Sequence, residues 1–412
     1  MSPESEALRY GLLILAGSGA ALLAVQSHRL TERLRVPAPA LFLLAAVLVV
    51  TWVPGVQPPP ERVVERIVTV ALLVILFDGG LHLGRRRLRG ALTPVLSLGL
   101  LGTFATVAGI AALAHLLLDV NAYAAVLLAT AIAPTDPAVV FSVLGQQEVE
   151  GRSGTILEGE SGANDPVGIA LLTALLAAGG LSASAVGQAL GSFVLQLVVG
   201  AAVGVVGGRL LLLLWRARPL PGEGLYAVRI LVGAGTVFGA ATVAHGSGFL
   251  AVFVAGIVLA DEPAPYKAEV ERFHAALASL AEIVAFFVLG LTVDVHVLGR
   301  SDVWIPGLVI GVLLTLVLRP LLAAPFLLPA RLSRGELAFV LLAGLKGAVP
   351  LLLGTMLLPL PGGARLYGVV VVVTGLSVVV QGALVPTVAR RLGLQLTRRE
   401  PPGELVDPGT LS

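Results

Sequence analysis

The sequence predicts an all-α polytopic membrane protein of about thirteen transmembrane helices, folded as two inverted repeats with one interrupted helix in each. Three observations carry that prediction. Charge is scarce: of 412 residues, 57% are apolar and 13% are Asp, Glu, Lys or Arg, about half the ~25% of a soluble domain. The apolar residues gather in runs of about 20, the length a helix needs to cross roughly 30 Å of hydrocarbon. Two of those runs, in corresponding places of the two halves, are broken at their centres by proline near a charge, as in transporters built from inverted repeats.

Composition also excludes. With no cysteine the chain is not a disulfide scaffold, a Cys-ligated metal protein or a thiol enzyme. It is too apolar to be disordered. A formal net charge of +2 gives no electrostatic footprint for nucleic acid. The partner that composition implies is the lipid bilayer, and nothing calls for a cofactor.

In chain order the runs span about 8–26, 38–53, 65–83, 91–118, 121–145, 155–178, 185–215, 224–244, 246–260, 275–293, 303–329, 335–359 and 366–389. The first has a secretory leader's length, but Glu4 and Glu6 accompany Arg9 before it and no clear cleavage site follows, so it reads as a membrane helix. We divide the chain into a membrane domain over 1–396, with repeat one at about 8–178, a linker helix at 185–215 and repeat two at 224–389. Residues 397–412, polar and holding Pro401, Pro402 and Pro408, form a short tail read as disordered. With the N-terminus outside, about eighteen basic residues fall in inward segments, including Arg85 to Arg87, Arg216, Arg331 and Arg390, against about five in outward ones. The positive-inside rule then puts the C-terminus in the cytoplasm of a cell with the chain in its inner membrane.

Charge inside the runs is the functional signal, since each such group costs ~3 kcal/mol or more unless paired, hydrated or snorkelling. Arg209 and Arg229 sit near run ends and read as snorkelling; Arg319 and Lys346 lie deeper. The acidic counterparts are Asp78, Asp136, Glu160, Asp165 and Glu282, the last near its run's start and read as a helix-end charge. In Pro134-Thr135-Asp136-Pro137 and in Glu160-Ser161-Gly162-Ala163-Asn164-Asp165-Pro166 a carboxylate directly precedes proline. Proline disfavours the α region in the residue before it and cannot donate to the carbonyl four back, so both helices are expected to loosen there. Carboxylate, carbonyl and hydroxyl oxygens at such a break suit a hard monovalent cation. Ser161 and Asp165 are four apart, as are Glu160 and Asn164, and project toward one side of a helix. A third break is expected at Gly344-Leu345-Lys346-Gly347-Ala348-Val349-Pro350, where Lys346 mirrors Asp136. At two facing breaks an Asp compensates half-helix N-termini and a Lys the C-termini.

These segments, with Phe77-Asp78-Gly79-Gly80-Leu81, Gly246-Ser247-Gly248-Phe249-Leu250-Ala251-Val252 and Phe287-Val288-Leu289-Gly290-Leu291, resemble in order the motifs of NhaP-type monovalent cation:proton antiporters, across nearly the whole chain. The resemblance implies the NhaA/NhaP-like fold, with the two interrupted helices crossing. It implies Asp165 as the exchanged-ion carboxylate, tuned by Asn164, with Thr135, Asp136 and Ser161 lining the same site. It pairs Glu160 with Arg319, and implies electroneutral exchange, a homodimer, and a six-helix core moving against a dimerisation domain. Two positions depart from the pattern: Asp78 stands where the family usually has Glu, as a support or water-mediated contact, and Lys346 where it usually has Arg. Lys can release its proton when buried and Arg effectively cannot.

The expected mechanism is competition at Asp165. A buried carboxylate lacks the water that holds its charge and needs a neutralising ligand, either a proton or a dehydrated cation. If the core moves only when neutralised, one ion crosses each way without covalent chemistry. The expected activity is exchange of Na⁺, or Li⁺, for H⁺, with K⁺/H⁺ exchange as the alternative and a cation channel as the distant one. Enzyme classes fare worse. Gly159-Glu160-Ser161-Gly162 is followed by Ala163 and is no nucleophile elbow, and Gly233-Ala234-Gly235 has Gly239 one place too late for a dinucleotide fingerprint. The six histidines read as interfacial, and Gly200, Gly204 and Gly208 as a packing stripe.

Overall fold

A computed structural model describes residues 37–53, 55–144, 147–149, 152–217, 219–394 and 396–398, with six single positions between 11 and 22, and the backbone alone at 138, 141–143, 147–149 and 396–398. In chain order its described helices of more than one turn are α1 (Ala38–Trp52), α2 (Glu61–Arg89), α3 (Leu92–Leu118), α4 (Ala122–Ile132), α5 (Pro137–Leu144), α6 (Arg152–Ala178), α7 (Ala183–Ala217), α8 (Glu223–Val243), α9 (Gly248–Ala260), α10 (Lys267–Gly290), α11 (Ser301–Ala330), α12 (Arg334–Leu342), α13 (Ala348–Thr355) and α14 (Gly363–Arg391), with a single turn at Val295–Leu298. Eight of them, α2, α3, α6, α7, α8, α10, α11 and α14, are long and apolar enough to cross a membrane. The first predicted run falls mostly outside the described residues.

The chain starts helices where it supplies a cap. Asn121 accepts from the Ala124 N–H (2.8 Å) and Ser247 from Leu250 (3.2 Å), and Ser333 and Glu336 form a reciprocal capping box, each about 1 kcal/mol of helix stability. Gly200, Gly204 and Gly208 lie against α9, where an added Cβ would meet the Ser247 carbonyl at 2.6 Å, the Ala251 carbonyl at 2.6 Å and Ala255 Cα at 3.0 Å. Gly233 similarly receives Leu211, whereas Gly235 and Gly239 face open space.

The helices fall into two groups. α2, α9 and α10 pack together with α7, α8 and α1 alongside; α3, α6 and the α4–α5 pair pack with α11, α14 and the α12–α13 pair. Segments predicted on one side of the bilayer meet at one end of the bundle. There Glu262 bridges Arg216 (2.7 Å) and Arg85, the Arg86 N–H donates to Asp261 (2.8 Å), and Arg152 donates to the Ala330 carbonyl (3.3 Å). The guanidinium groups of Arg216 and Arg85 hold Glu262 below the usual carboxylate range. At the opposite end Arg365 joins Asp302 (3.2 Å) to the Leu118 carbonyl (3.0 Å).

Five expectations need correction. The helix does not loosen at Pro166: α6 runs unbroken from Arg152 to Ala178 with Pro166 inside it, because packing on both flanks leaves it no other path. The Phe253 ring abuts Gly162 and the Pro134 ring abuts Gly168, and that packing outweighs the local cost of the proline. Glu282 is not a helix-end charge, since α10 begins at Lys267, four turns earlier. His274 is not interfacial either: it is fully buried, with rings of Phe77 and Phe273 each 5.4 Å away. Arg229 does more than snorkel, donating to the Trp215 carbonyl (3.0 Å) over the Tyr226 ring. The chain from 396 is ordered at its start, where Leu396–Arg398 pairs antiparallel with Gln147–Val149; the rest of the tail lies outside the described residues.

Candidate ion-exchange site

Apart from the kink of α2 at Gly84, two of the described helices break, and their breaks cross. α4 stops at Ile132 and α5 resumes at Pro137; α12 stops at Leu342 and α13 resumes at Ala348. Each break leaves the last carbonyls of one half-helix and the first N–H groups of the next without helical partners. The two breaks supply one another. The Lys346 ammonium donates to the carbonyls of Ala133 (2.7 Å) and Pro134 (3.1 Å), capping α4 with a cation where the helix dipole favours one. In return the Asp136 N–H donates to the Leu345 carbonyl (2.8 Å). The Asp136 carboxylate lies against Gly347, the residue that opens α13, where an added Cβ would stand 1.8 Å from Oδ2. Glycine is required there because only its bare Cα lets the carboxylate approach the half-helix N-terminus.

The unbroken helix α6 runs past the crossing and carries four polar side chains to it. Glu160, 2% exposed, accepts both arms of Arg319 from α11, at 2.8 and 2.9 Å. The same guanidinium donates to the carbonyls of Leu341 (3.0 Å) and Val340 (3.3 Å), so Arg319 caps α12 as Lys346 caps α4. It lies flat over Gly344, where a Cβ would collide with it at 2.1 Å. Asn164 spends its whole amide on Thr135: Nδ2 donates to the hydroxyl at 2.8 Å and Oδ1 accepts from the N–H at 3.3 Å. Asn164 thereby ties the first break to α6. Ser161, buried like Asp165, lies one turn before it on the same helix.

Asp165 is 7% exposed, and its Oδ1 has no hydrogen-bond partner among the described residues. Its charged neighbours are Asp136, Lys346 and Glu160. The arrangement therefore concentrates a buried carboxylate with a free oxygen, a second carboxylate, a fixed ammonium and a neutral hydroxyl-amide pair, inside an apolar shell. Such a site can hold one small cation or a proton.

Asp78 stands apart, on α2. It is paired with His82 (3.3 Å) on its own helix, and its Oδ1 has no hydrogen bond among the described residues. Sequence reasoning missed a further polar set on α14. The Lys346 N–H donates to Ser377 (2.9 Å), Ser377 donates to Gln381 (2.8 Å), and Gln381 donates to the Leu342 carbonyl (2.7 Å). Their signal was present: a Ser and a Gln four apart in a valine-rich run.

Comparison with known proteins agrees with this geometry. Residues 19–391 match the transmembrane sodium/hydrogen exchanger family. The chain is 32% identical over 391 residues to the K(+)/H(+) antiporter NhaP2 of Shewanella sp. (strain MR-4), covering 93% of this chain and 67% of that one. It is 26% identical over 375 residues to the Na(+)/H(+) antiporter NhaH of Halobacillus aidingensis, covering 86% and 91%. The solved structure of the sodium proton antiporter MjNhaP1 from Methanocaldococcus jannaschii at pH 8 superposes with a TM-score of 0.75 at 21% identity, over 92% of this chain and 99% of that one, a likeness of fold. Crossed breaks, a buried carboxylate beside them and a match over most of the chain converge, and the protein belongs to the sodium/hydrogen exchanger family.

Proposed function

We propose that the protein exchanges a monovalent cation for H⁺ by alternate occupancy of Asp165. The observation that carries this reading is the Asp165 Oδ1, buried at the crossing of the breaks and without a hydrogen-bond donor among the described residues. A carboxylate there is costly when bare and is relieved by a proton or by a cation, one excluding the other. Thr135, Ser161 and Asp136 supply the remaining oxygens. Asn164 serves as a positioning residue, since both ends of its amide are engaged by Thr135. Lys346, Arg319 and Glu160 hold the half-helices and stay occupied through the cycle. Asp78 supports the site from α2 through water.

The core that moves comprises α3, α4–α5, α6, α11, α12–α13 and α14. The other group dimerises and stays in place, the N-terminus faces outward and the C-terminus the cytoplasm, in the inner membrane. One proton against one cation makes the exchange electroneutral. The relatives differ in ion, K⁺ for the one at 32% identity and Na⁺ for the one at 26%, so K⁺ is tested beside Na⁺ and Li⁺.

The test is proton flux in sealed vesicles holding the purified protein, with an imposed pH gradient and pulses of Na⁺, Li⁺ or K⁺. Cation-dependent dissipation that Asp165→Asn abolishes, with the variant still folded, is the expected result. Current without proton coupling would replace the antiporter with a channel, and pH-coupled exchange surviving in Asp165→Asn would remove Asp165 from its role.

A further inference from the structure

The first break is tied to α6 by Asn164. The second break has its own tie, made by residues to which no role has been given. At the end of α12 three carbonyls face outward from the helix: Val340 and Leu341 receive Arg319, and Leu342 receives the Gln381 amide at 2.7 Å. The oxygen of that amide accepts from Ser377 at 2.8 Å and from Thr315 at 3.3 Å, and the Ser377 oxygen accepts the Lys346 N–H at 2.9 Å. A closed chain of hydrogen bonds therefore spans the second break from Leu342 to Lys346, with α14 as its rigid back.

The local backbone explains why these two side chains serve. Ser377–Gln381 is a π-helical stretch, and Leu314–Leu318 is another that ends at Arg319. Such bulges are uncommon, cluster at functional positions, and redirect side chains that a regular turn would point elsewhere. Both line an apolar cavity of about 260 Å³ that also touches Leu342 and Ala343, and Gln381 stands in its wall. If the amide is lost, the carbonyl of Leu342 faces an apolar space that cannot hydrogen-bond it. What depends on the tie is Lys346: its backbone is fixed by Ser377 and its ammonium by Ala133 and Pro134, so one residue couples both breaks to α14.

We propose that Gln381 and Ser377 are positioning residues that hold the second break, and through it the Lys346 ammonium, in the geometry that exchange requires. This rests on the antiport reading above. They touch neither the cation nor Asp165, so their loss slows the passage of the loaded site rather than its loading.

The experiment reconstitutes wild type, Gln381→Leu, Ser377→Ala and Gln381→Glu in sealed vesicles and measures the cation KM and the kcat per folded molecule, with folding followed by size-exclusion profile. Gln381→Leu and Ser377→Ala are expected to lower kcat roughly tenfold, the scale of one lost hydrogen bond, with KM within about twofold. A merely structural role would lower the yield of folded protein and leave kinetics per molecule alone, and that result overturns the proposal. Gln381→Glu covers the case in which those two variants fail to fold. Its carboxyl donates to Leu342 only when protonated, beside the cations Arg319 and Lys346, so its rate relative to wild type should rise as pH falls. A ratio flat across pH overturns the proposal as well. Absence of cation-driven proton flux in wild type would instead remove the antiport reading beneath it.

Discussion

Replacing either member of the Glu160 and Arg319 pair should cost more than replacing both would suggest, and the geometry sets the amounts. Arg319 makes four hydrogen bonds, two to Glu160 and one each to Leu341 and Val340. Glu160→Gln keeps an acceptor but removes the counter-charge, which for a buried pair costs about 3 kcal/mol. Arg319→Met strands a carboxylate that is 2% exposed and also uncaps two carbonyls, for about 5 kcal/mol. Independent effects would sum to about 8 kcal/mol. The double variant leaves no charge alone and loses chiefly the two carbonyl partners and some packing, so about 3 kcal/mol is expected, with a coupling of about 5. The assay is reversible unfolding of the four proteins by sodium dodecyl sulfate in mixed micelles, followed by circular dichroism. A double variant that loses the full ~8 kcal/mol would refute the reasoning, because it would mean that neither charge depends on the other.

Further outcomes follow from the same geometry. Gly347→Ala would put a Cβ 1.8 Å from the Asp136 carboxylate and should abolish vesicle exchange, whereas Gly79→Ala, with nothing within 4 Å of its new methyl, should leave exchange intact and gain up to ~1 kcal/mol of helix propensity; equal effects of the two would count against the close approach at the crossing. Glu262→Gln should lower the melting temperature at neutral pH. Because Arg216 and Arg85 hold that carboxyl below its ordinary value of 4.5, its contribution is complete above that value and fades as pH falls through the depressed one; a wild-type-to-variant difference that grows on acidification would contradict the assignment.

How far the string foretold the fold can be judged element by element. The runs that fall on described residues became helices, because twenty apolar residues in a bilayer have few alternatives once every backbone group must be paired internally. The breaks at Thr135-Asp136 and at Lys346 were legible because each joins proline or glycine to a charge. Pro166 carries the same local signal, yet its helix continues, because what decides there is the Phe253 ring on Gly162 and the Pro134 ring on Gly168, contacts between residues far apart in the chain. His274 was misread for a related reason: the apolar run marks where a helix meets hydrocarbon, and α10 begins two turns before it. Gln381 and Ser377 were visible as polar residues in a valine-rich run, but a string does not say that an α14 amide meets the carbonyl of Leu342.

The reciprocity of the two breaks has a consequence for how the chain is made. Lys346 caps Ala133 from 213 residues downstream, and the Leu345 carbonyl receives Asp136 from a comparable distance. When the first repeat leaves the ribosome and enters the membrane, the residues that will complete it have not been synthesised. Its open carbonyls and carboxylate must meanwhile stay in contact with water or the insertion machinery, because hydrocarbon offers them nothing. The first repeat therefore acquires its final form only after the second arrives. Ribosome-stalled chains ending before Lys346 should expose the 133–136 segment to water-soluble probes, and completed chains should protect it.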